Sequence, residues 1–332
     1  MSKIKNYGKI TSSRFSAATW LKNKHLQTSF LPIRSLLNNI KIERKIIDLP
    51  DGDIISLDTI NQSKQKNKSR PLLLILHGLE GSSKSSYAIQ LLQYAQKNDW
   101  NAAVINSRDC GGCHNNLPRR YHAGETSDLK FIVEKIHQEG YMGKIYVVGY
   151  SLGGNVLLKY LGEQGEDTLV SAAVAISVPL DLHMSSLALN QNFSKIYQFY
   201  LLNCMKKAIR RKFNKFNAPF EWSNAMNSKT FSQFDNIVTA PLHGFNSKND
   251  YYELCSSKYF LKKIKIPTLI INSRDDPFML PEMIPDANNL SNSVQLEISD
   301  SGGHVGFISG GTPCKPKFYL PKRIFNFLDG YV

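Results

Sequence analysis

A single serine stands between glycines at a point where the local sequence changes character. Residues 144–163 have the sequence KIYVVGYSLGGNVLLKYLGE, and Ser151 occupies the centre of its Gly-x-Ser-x-Gly segment. The apolar, β-branched run at 145–148 predicts a buried strand, and the apolar spacing from Val156 onward predicts a helix. A serine in a sharp strand-to-helix turn presents its hydroxyl at the top of the sheet, with no bulky neighbour beside it. This context indicates a nucleophilic serine.

A serine hydroxyl is a poor nucleophile unless a base takes its proton. When such a serine acts on a parallel sheet, an acid and then a histidine follow it in the chain, each at a strand end. His304 lies in the glycine-rich loop after the strand predicted at 294–298, and Asp275 and Asp276 follow the strand predicted at 268–272. We favour Asp276 as the acid, because Pro-Phe follows it and 28 positions separate it from the histidine. Asp275 remains the alternative.

Attack by Ser151 would create an oxyanion that needs hydrogen-bond donors. The N–H of Leu152, directly after the serine, is one expected donor. The second is the N–H of Leu79, in the loop HGLEG that follows the strand predicted at 72–76. We expect His77, the first residue of that loop, to hold the loop rather than to take part in catalysis.

Cys110, Cys113 and His114 match the C-x-x-C-H pattern of c-type haem attachment. Haem attachment needs export, and the N-terminal sequence MSKIKNYGKITSSRF has no apolar segment typical of a signal peptide. Zinc or redox use of the cysteine pair stays open as a minor alternative. We expect a tight glycine turn near the pocket, with no cofactor and no metal.

Positive charge is concentrated outside the segments that carry these residues. The 332-residue chain has a net charge of +14, and residues 1–70 and 181–265 hold most of the excess. We find no nucleic-acid recognition motif, so we expect no nucleic-acid partner. A solubilising surface explains the charge, and contact with an anionic membrane is the alternative. Five unpatterned cysteines and the lack of a long apolar run suggest a cytoplasmic protein, with peripheral contact with the inner face of the membrane as a further expectation.

Alternation of apolar strands with helices predicts a mostly parallel sheet covered on both faces. This rhythm stops after Pro179, and residues 181–265 are richer in aromatic residues and lysine. Residues 193–213 have helical apolar spacing and end in cations, which suits a helix C-terminus. We expect the first part of the core at 1–180, a helical lid insertion at 181–265 and the rest of the core at 266–332. The predicted elements are strands within 43–59 and at 72–76, 102–106, 145–148, 172–176, 268–272 and 294–298, and helices at 84–98, 125–139, 152 onward, 193–213 and 321–329.

Stretches along nearly the whole chain resemble the YheT-like branch of the α/β-hydrolase superfamily, which includes bacterial proteins provisionally named esterases and eukaryotic lipid hydrolases and acyltransferases. The resemblance implies a Ser-Asp-His triad at Ser151, Asp276 and His304, and acyl-ester chemistry. One departure is Asp109, where the family pattern leads us to expect glycine. The matching stretches are WLKNKHLQTSF (20–30), LHGLEGSSKSSYA (76–88), NSRDCGG (106–112), LPRRYHAGETSDL (117–129), GYSLGGNVLLKYLGE (149–163), FDNIVTAPLHGF (234–245), PTLIINSRDDPFM (267–279) and GGHVGF (302–307).

The leading hypothesis is therefore a serine hydrolase that cleaves small-molecule acyl esters or lipids through an acyl-enzyme. Acyl transfer to an alcohol uses the same residues and is the first alternative. A non-catalytic binding protein on a hydrolase fold is the second, although all three triad residues are present. The chain does not indicate the acyl length, the alcohol or the oligomeric state.

Overall fold

Nine strands form one twisted sheet in a computed structural model that describes residues 8–35, 42–60 and 67–332. The order across the sheet is β1-β9-β8-β7-β6-β4-β5-β3-β2. All neighbours from β1 to β5 pair in parallel, and β3 and β2 complete the far edge as antiparallel strands. These strands are β1 (Lys9–Ser12), β2 (Ile42–Asp48), β3 (Ile54–Ile60), β4 (Leu72–Leu76), β5 (Asn101–Asn106), β6 (Ile145–Tyr150), β7 (Val170–Ile176), β8 (Thr268–Ser273) and β9 (Val294–Ser299).

Helices cover the sheet. Further helices, which lie between β7 and β8 in the sequence, form a separate layer. A small antiparallel pair, β10 (Ile308–Gly311) and β11 (Pro316–Phe318), follows β9. The helices are α1 (Lys24–Ser35), α2 (Ser86–Lys97), α3 (Ser127–Gln138), α4 (Leu152–Gln164), α5 (Leu182–Leu189), α6 (Ser194–Lys212), α7 (Trp222–Asn227), α8 (Phe231–Phe234), α9 (Ala240–Leu242), α10 (Lys248–Cys255) and α11 (Leu320–Leu328).

Strand β4 is apolar at every position because both faces of the sheet are covered. Leu74 of β4 packs into the hydrophobic cluster that contains α3 and α4 residues, such as Ile132 and Leu157. The next residue, Ile75, packs with Leu91 of α2 on the other face. Successive side chains of a strand point to opposite faces, so an unbroken apolar run serves both clusters. The prediction of a mostly parallel α/β sheet is confirmed.

The predicted strands and helices all form, most of them within two residues of the predicted bounds. The sequence analysis did not predict β1, α1 or the β10–β11 pair. The polar residues 61–66 lie outside the described residues, as do the first seven residues of the chain. Residues 177–267 are fully described and contain helices and turns but no strand.

Helix α6 differs from the expected amphipathic pattern. The predicted apolar stripe included Phe193, Ile196 and Tyr200, but these side chains are exposed, as is Phe199 between them. The side that packs on the neighbouring helices carries Met205 and Ile209 of the predicted stripe, together with Leu202 and the buried polar residues Ser194 and Gln198. The helix therefore has apolar residues on both its inner and its outer side. None of the helices in the described residues is both long enough and apolar enough to cross a membrane.

Candidate active site

Ser151 occupies a strained turn between the end of β6 and the start of α4. Its backbone angles are φ 51° and ψ −119°, a conformation that residues other than glycine rarely adopt. The turn is held because the Ser151 N–H donates to Ile176 O of β7 at 2.8 Å. A Cβ at Gly149 would lie 2.5 Å from Gly153 O, and a Cβ at Gly153 would lie 2.5 Å from His77 O. Both positions therefore need glycine, as the sequence pattern predicted.

Two hydrogen bonds connect Ser151, His304 and Asp276. Nε2 of His304 lies 2.8 Å from Ser151 Oγ, and Nδ1 lies 2.8 Å from Asp276 Oδ2. Because an ionised carboxylate only accepts hydrogen bonds, Nδ1 carries the proton and Nε2 is free to accept the serine proton. The His304 N–H donates to Thr28 Oγ1 of α1 at 2.9 Å, so the unforeseen helix α1 fixes the histidine loop.

The two aspartates after β8 have different partners. Asp276 is buried, and its second oxygen, Oδ1, accepts the Phe278 N–H at 2.8 Å. Asp275 accepts the Gly303 N–H at 2.9 Å and so supports the backbone of the histidine loop. The ring of Phe278 stacks on the imidazole of His304 at 3.9 Å between centroids. The structure thus brings Asp276, and not Asp275, to the imidazole.

The loop after β4 lies against the serine. A Cβ on Gly78 would come within 3.2 Å of Ser151 Cβ, so the loop backbone is close to the place where an oxyanion would form. Among the hydrogen bonds of the described residues, none uses the N–H of Leu79 or of Leu152. Both N–H groups therefore remain available to a substrate oxygen, and α4 adds the positive end of its dipole at Leu152.

His77 is fixed by hydrogen bonds to the backbone on both sides of its ring. Nδ1 donates to Gly78 O at 2.7 Å, and Nε2 accepts the Ser107 N–H at 3.0 Å. Burial lowers the pKa of this imidazole. A neutral ring with both nitrogens occupied holds the loop, as the sequence analysis expected.

An ion-pair network that the sequence analysis did not foresee supports the same loop. Arg120 is buried and contacts both Glu80 Oε1 and Asp109 Oδ2 at 2.9 Å. The Glu80 N–H donates to the hydroxyl of Tyr121 at 2.6 Å. Glu80 itself has φ 53°, so these contacts hold a backbone conformation that a free chain would avoid. Arg120 and Tyr121 lie within a stretch that resembles the family, which was the only signal for their importance.

Asp109, the residue that departs from the family pattern, has φ 64°. Glycine adopts this conformation without strain, which explains the expectation of glycine there, and aspartate tolerates it better than most residues. Next to it, Cys110 is buried and burial raises the pKa of its thiol. Gly111 and Gly112 also have positive φ, so the segment forms the expected tight turn. The described residues contain no group of three or more His, Cys, Asp or Glu side chains placed to bind a metal.

A pocket of about 110 Å³ opens beside Ser151. The core contributes Leu79, Tyr121 and Leu152 to its walls. Most other lining residues come from the helical layer that lies between β7 and β8 in the sequence, and five of them are apolar, which suits an acyl chain or another apolar substituent. They include Leu182, Leu189, Leu201, Met205 and Phe231, with Ser185, Ser186, Asp235, Thr239 and Tyr252 as polar members.

Comparison with known proteins identifies relatives of this chain. The family model described as the alpha/beta hydrolase fold matches residues 71–311. YheT of Escherichia coli (strain K12), which has a provisional esterase name, is 37% identical over 97% of this chain and 95% of its own length. Phospholipase ABHD3 of Bos taurus is 28% identical, covering 99% of this chain and 81% of its own. The monoacylglycerol lipase of Saccharomyces cerevisiae is 26% identical, covering 86% and 74%.

Among solved structures, the Pyrococcus furiosus esterase Pf2001 has the same fold. It superposes with a TM-score of 0.57 and 18% sequence identity, over 98% of this chain and 99% of that one.

Proposed function

Because the chain belongs to the α/β-hydrolase fold family, in its YheT-like branch of esterase- and lipase-type enzymes, we propose that it is a serine hydrolase that cleaves carboxylic esters. The observation that carries this proposal is the chain of two 2.8 Å hydrogen bonds that joins Ser151 to Asp276 through His304. The apolar pocket beside the serine supports an acyl ester or lipid as the substrate.

In the first half of the reaction, Ser151 Oγ attacks the ester carbonyl while His304 Nε2 takes the hydroxyl proton. The imidazolium that forms is stabilised by Asp276, which also keeps the ring in the required orientation. The carbonyl oxygen becomes an oxyanion, and the N–H groups of Leu79 and Leu152 donate to it. His304 then gives its proton to the departing alcohol, and the acyl group remains on the serine.

In the second half, water attacks the acyl-enzyme and transfers a proton to His304, which returns it to Ser151 as the acid leaves. An alcohol in place of water would give acyl transfer with the same residues. The direct test is a panel of p-nitrophenyl esters from C2 to C16, with Ser151→Ala as the control. Hydrolysis by the wild type alone supports the proposal, and equal hydrolysis by the variant contradicts it. Detection of ethyl esters when ethanol is added would identify acyl transfer.

Residues 181–265 form, in our proposal, a lid over the serine. They lie between β7 and β8 in the sequence, although these two strands pair directly with each other in the sheet. Side chains from α5, α6 and α8 line the pocket that contains Ser151. A substrate must therefore pass between this layer and the core to reach the nucleophile, and the layer sets the shape of the pocket.

The outer side of α6 supports a further proposal, contact with an anionic membrane surface. Phe193, Ile196, Phe199 and Tyr200 are between 49% and 69% exposed, which is unusual for four neighbouring large apolar residues. The same helix carries exposed cations at Lys195, between these residues, and at Lys207 and Arg210, after them. Apolar and aromatic side chains beside cations are the composition of helices that lie in a lipid interface.

Only some of the cations at the end of this helix are available for such contact. The sequence has five there: Lys206, Lys207, Arg210, Arg211 and Lys212. The Nζ of Lys206 donates to Ser228 O, and the Nζ of Lys212 donates to Asn115 O and Oδ1. Arg211 lies 3.5 Å from Asp109. These three side chains tie α6 to the rest of the protein, so the membrane proposal rests on the exposed set Lys195, Lys207 and Arg210.

A further inference from the structure

The pocket beside Ser151 has a carboxylate in its wall that ester hydrolysis does not use. Asp235 belongs to the stretch FDNIVTAPLHGF and begins a π-helical turn, Asp235–Thr239, between α8 and α9. The side chain accepts hydrogen bonds from Thr239 Oγ1 at 2.7 Å and from the Tyr252 hydroxyl at 2.8 Å. Thr239 and Tyr252 line the same pocket, so the three residues form one polar patch in a mostly apolar wall.

The charge of Asp235 has no cationic partner among the described residues within salt-bridge distance. Lys248 is the cation that influences this carboxylate, but its Nζ donates to Ser232 Oγ. A carboxylate has room for about four hydrogen bonds, and Asp235 receives two from neutral hydroxyl groups. Burial raises the pKa of Asp235 to about 6, so the group is still mostly ionised at pH 7.5. Buried charges are usually paired, which leaves this one in need of a partner from outside the chain.

Aromatic residues line the same pocket. Tyr251 and Tyr252 are adjacent, with 5.4 Å between their ring centroids, and Phe231 and Tyr121 also line the pocket. Aromatic ring faces attract cations, especially alkylated ammonium groups that have little else to bind. One carboxylate within aromatic walls therefore favours an organic cation over either an anion or a purely apolar chain.

We propose that the pocket binds a substituted ammonium group, with its charge beside Asp235 and its alkyl groups against the aromatic rings. Because Ser151 lines the same pocket, this group belongs to the ester that is cleaved or to a ligand that competes with it. The inference rests on the proposed esterase activity only where turnover is measured. Binding of the cation tests it independently.

The binding test compares choline with 3,3-dimethylbutan-1-ol, its neutral isostere, on the Ser151→Ala protein, which needs no catalytic competence. Isothermal calorimetry and thermal shift measure the affinities. We expect choline to bind at least tenfold more tightly than the isostere. Asp235→Asn should reduce the choline affinity tenfold or more. The matched control is Glu253→Gln, which removes the same charge from an exposed position on α10 and should leave the affinity unchanged.

Equal affinity for choline and its isostere on the unsubstituted pocket would overturn the inference, and this comparison does not depend on how well Asp235→Asn folds. Retention of choline binding by a folded Asp235→Asn protein would overturn it as well. In the wild type, choline should inhibit ester hydrolysis competitively, more strongly than the isostere. If choline binds as expected but no ester is hydrolysed, the proposed function fails and the cation site stands.

Discussion

Asp276 Oδ2 lies 2.8 Å from His304 Nδ1, while the carboxylate of the preceding residue is turned to the backbone of Gly303. The two adjacent aspartates thus both contact the loop that carries His304. Asp276 contacts its imidazole, and Asp275 accepts the N–H of Gly303. Their unequal positions allow a test in which the two substitutions are equally conservative.

Asp276→Asn should lower kcat by about three to four orders of magnitude, because the imidazole loses its stabilising charge and its correct tautomer. Asp275→Asn should lower kcat far less, since an amide oxygen can still accept the Gly303 N–H. Steady-state kinetics on a short-chain ester decides between them. A larger loss in the Asp275 variant would mean that the acid has been assigned to the wrong residue.

Tyr121→Phe should lower kcat about tenfold or more with little change in KM. The substitution removes the acceptor of the Glu80 N–H, next to Leu79, whose N–H is the proposed oxyanion donor. Loss of a whole oxyanion donor costs roughly 100-fold or more, and displacement of one should cost less. Tyr141→Phe is the control, because that half-buried hydroxyl donates to Arg70 O and accepts from Asn101 Nδ2, away from the site. An unchanged kcat in the Tyr121 variant would contradict the positioning role.

The pH dependence of stability should report the buried carboxylate of Asp235. Burial raises its pKa to about 6 in the folded protein, above the usual value of 3.8. Its contribution to the free energy of unfolding is therefore fully present below about pH 4 and is lost as the pH rises through about 6. The free energy of unfolding of Asp235→Asn, relative to that of the wild type, should therefore increase by about 2 kcal/mol as the pH rises from 4.5 to 7.5. Urea unfolding of both proteins at pH 4.5 and at pH 7.5 measures this increase. If the two proteins differ in the free energy of unfolding by the same amount at both pH values, the prediction is wrong.

The exposed cations of α6 should govern binding to anionic vesicles. Changing Lys195, Lys207 and Arg210 to glutamine should weaken co-sedimentation with phosphatidylserine-containing vesicles by about 100-fold, since each cation contributes roughly 1 kcal/mol. Binding by the wild type should also weaken as salt increases. The charge-matched control changes Lys84, Lys97 and Lys322, which are exposed on other parts of the fold. Equal loss in both variants, or no binding by the wild type, would rule out contact through α6.

Local pattern was sufficient to identify the architecture and the candidate nucleophile. Strands β4 and β6 are unbroken apolar runs because both of their faces are buried, and such runs are visible without any knowledge of their neighbours. Gly149 and Gly153 are required by backbone contacts within and beside one turn, so Ser151 could be identified from a five-residue motif. Chain order then predicted His304, since it alone of the histidines follows the last strand in a glycine-rich loop.

Contacts between distant segments decided the rest. The residues after the pair favoured Asp276, but Asp275 stayed open because the loop geometry determines which of the two carboxylates reaches His304. Arg120 meets Glu80 across 40 positions, and β1 pairs with β9 across more than 280, so neither contact leaves a local pattern. Helix α6 shows the same limit, because its apolar residues lie on two sides and only the packing of the neighbouring helices determines which side is buried. Local patterns were thus enough for the fold class and the candidate nucleophile, whereas contacts between distant segments determine which aspartate meets the imidazole, what supports the loop after β4 and which face of α6 is exposed.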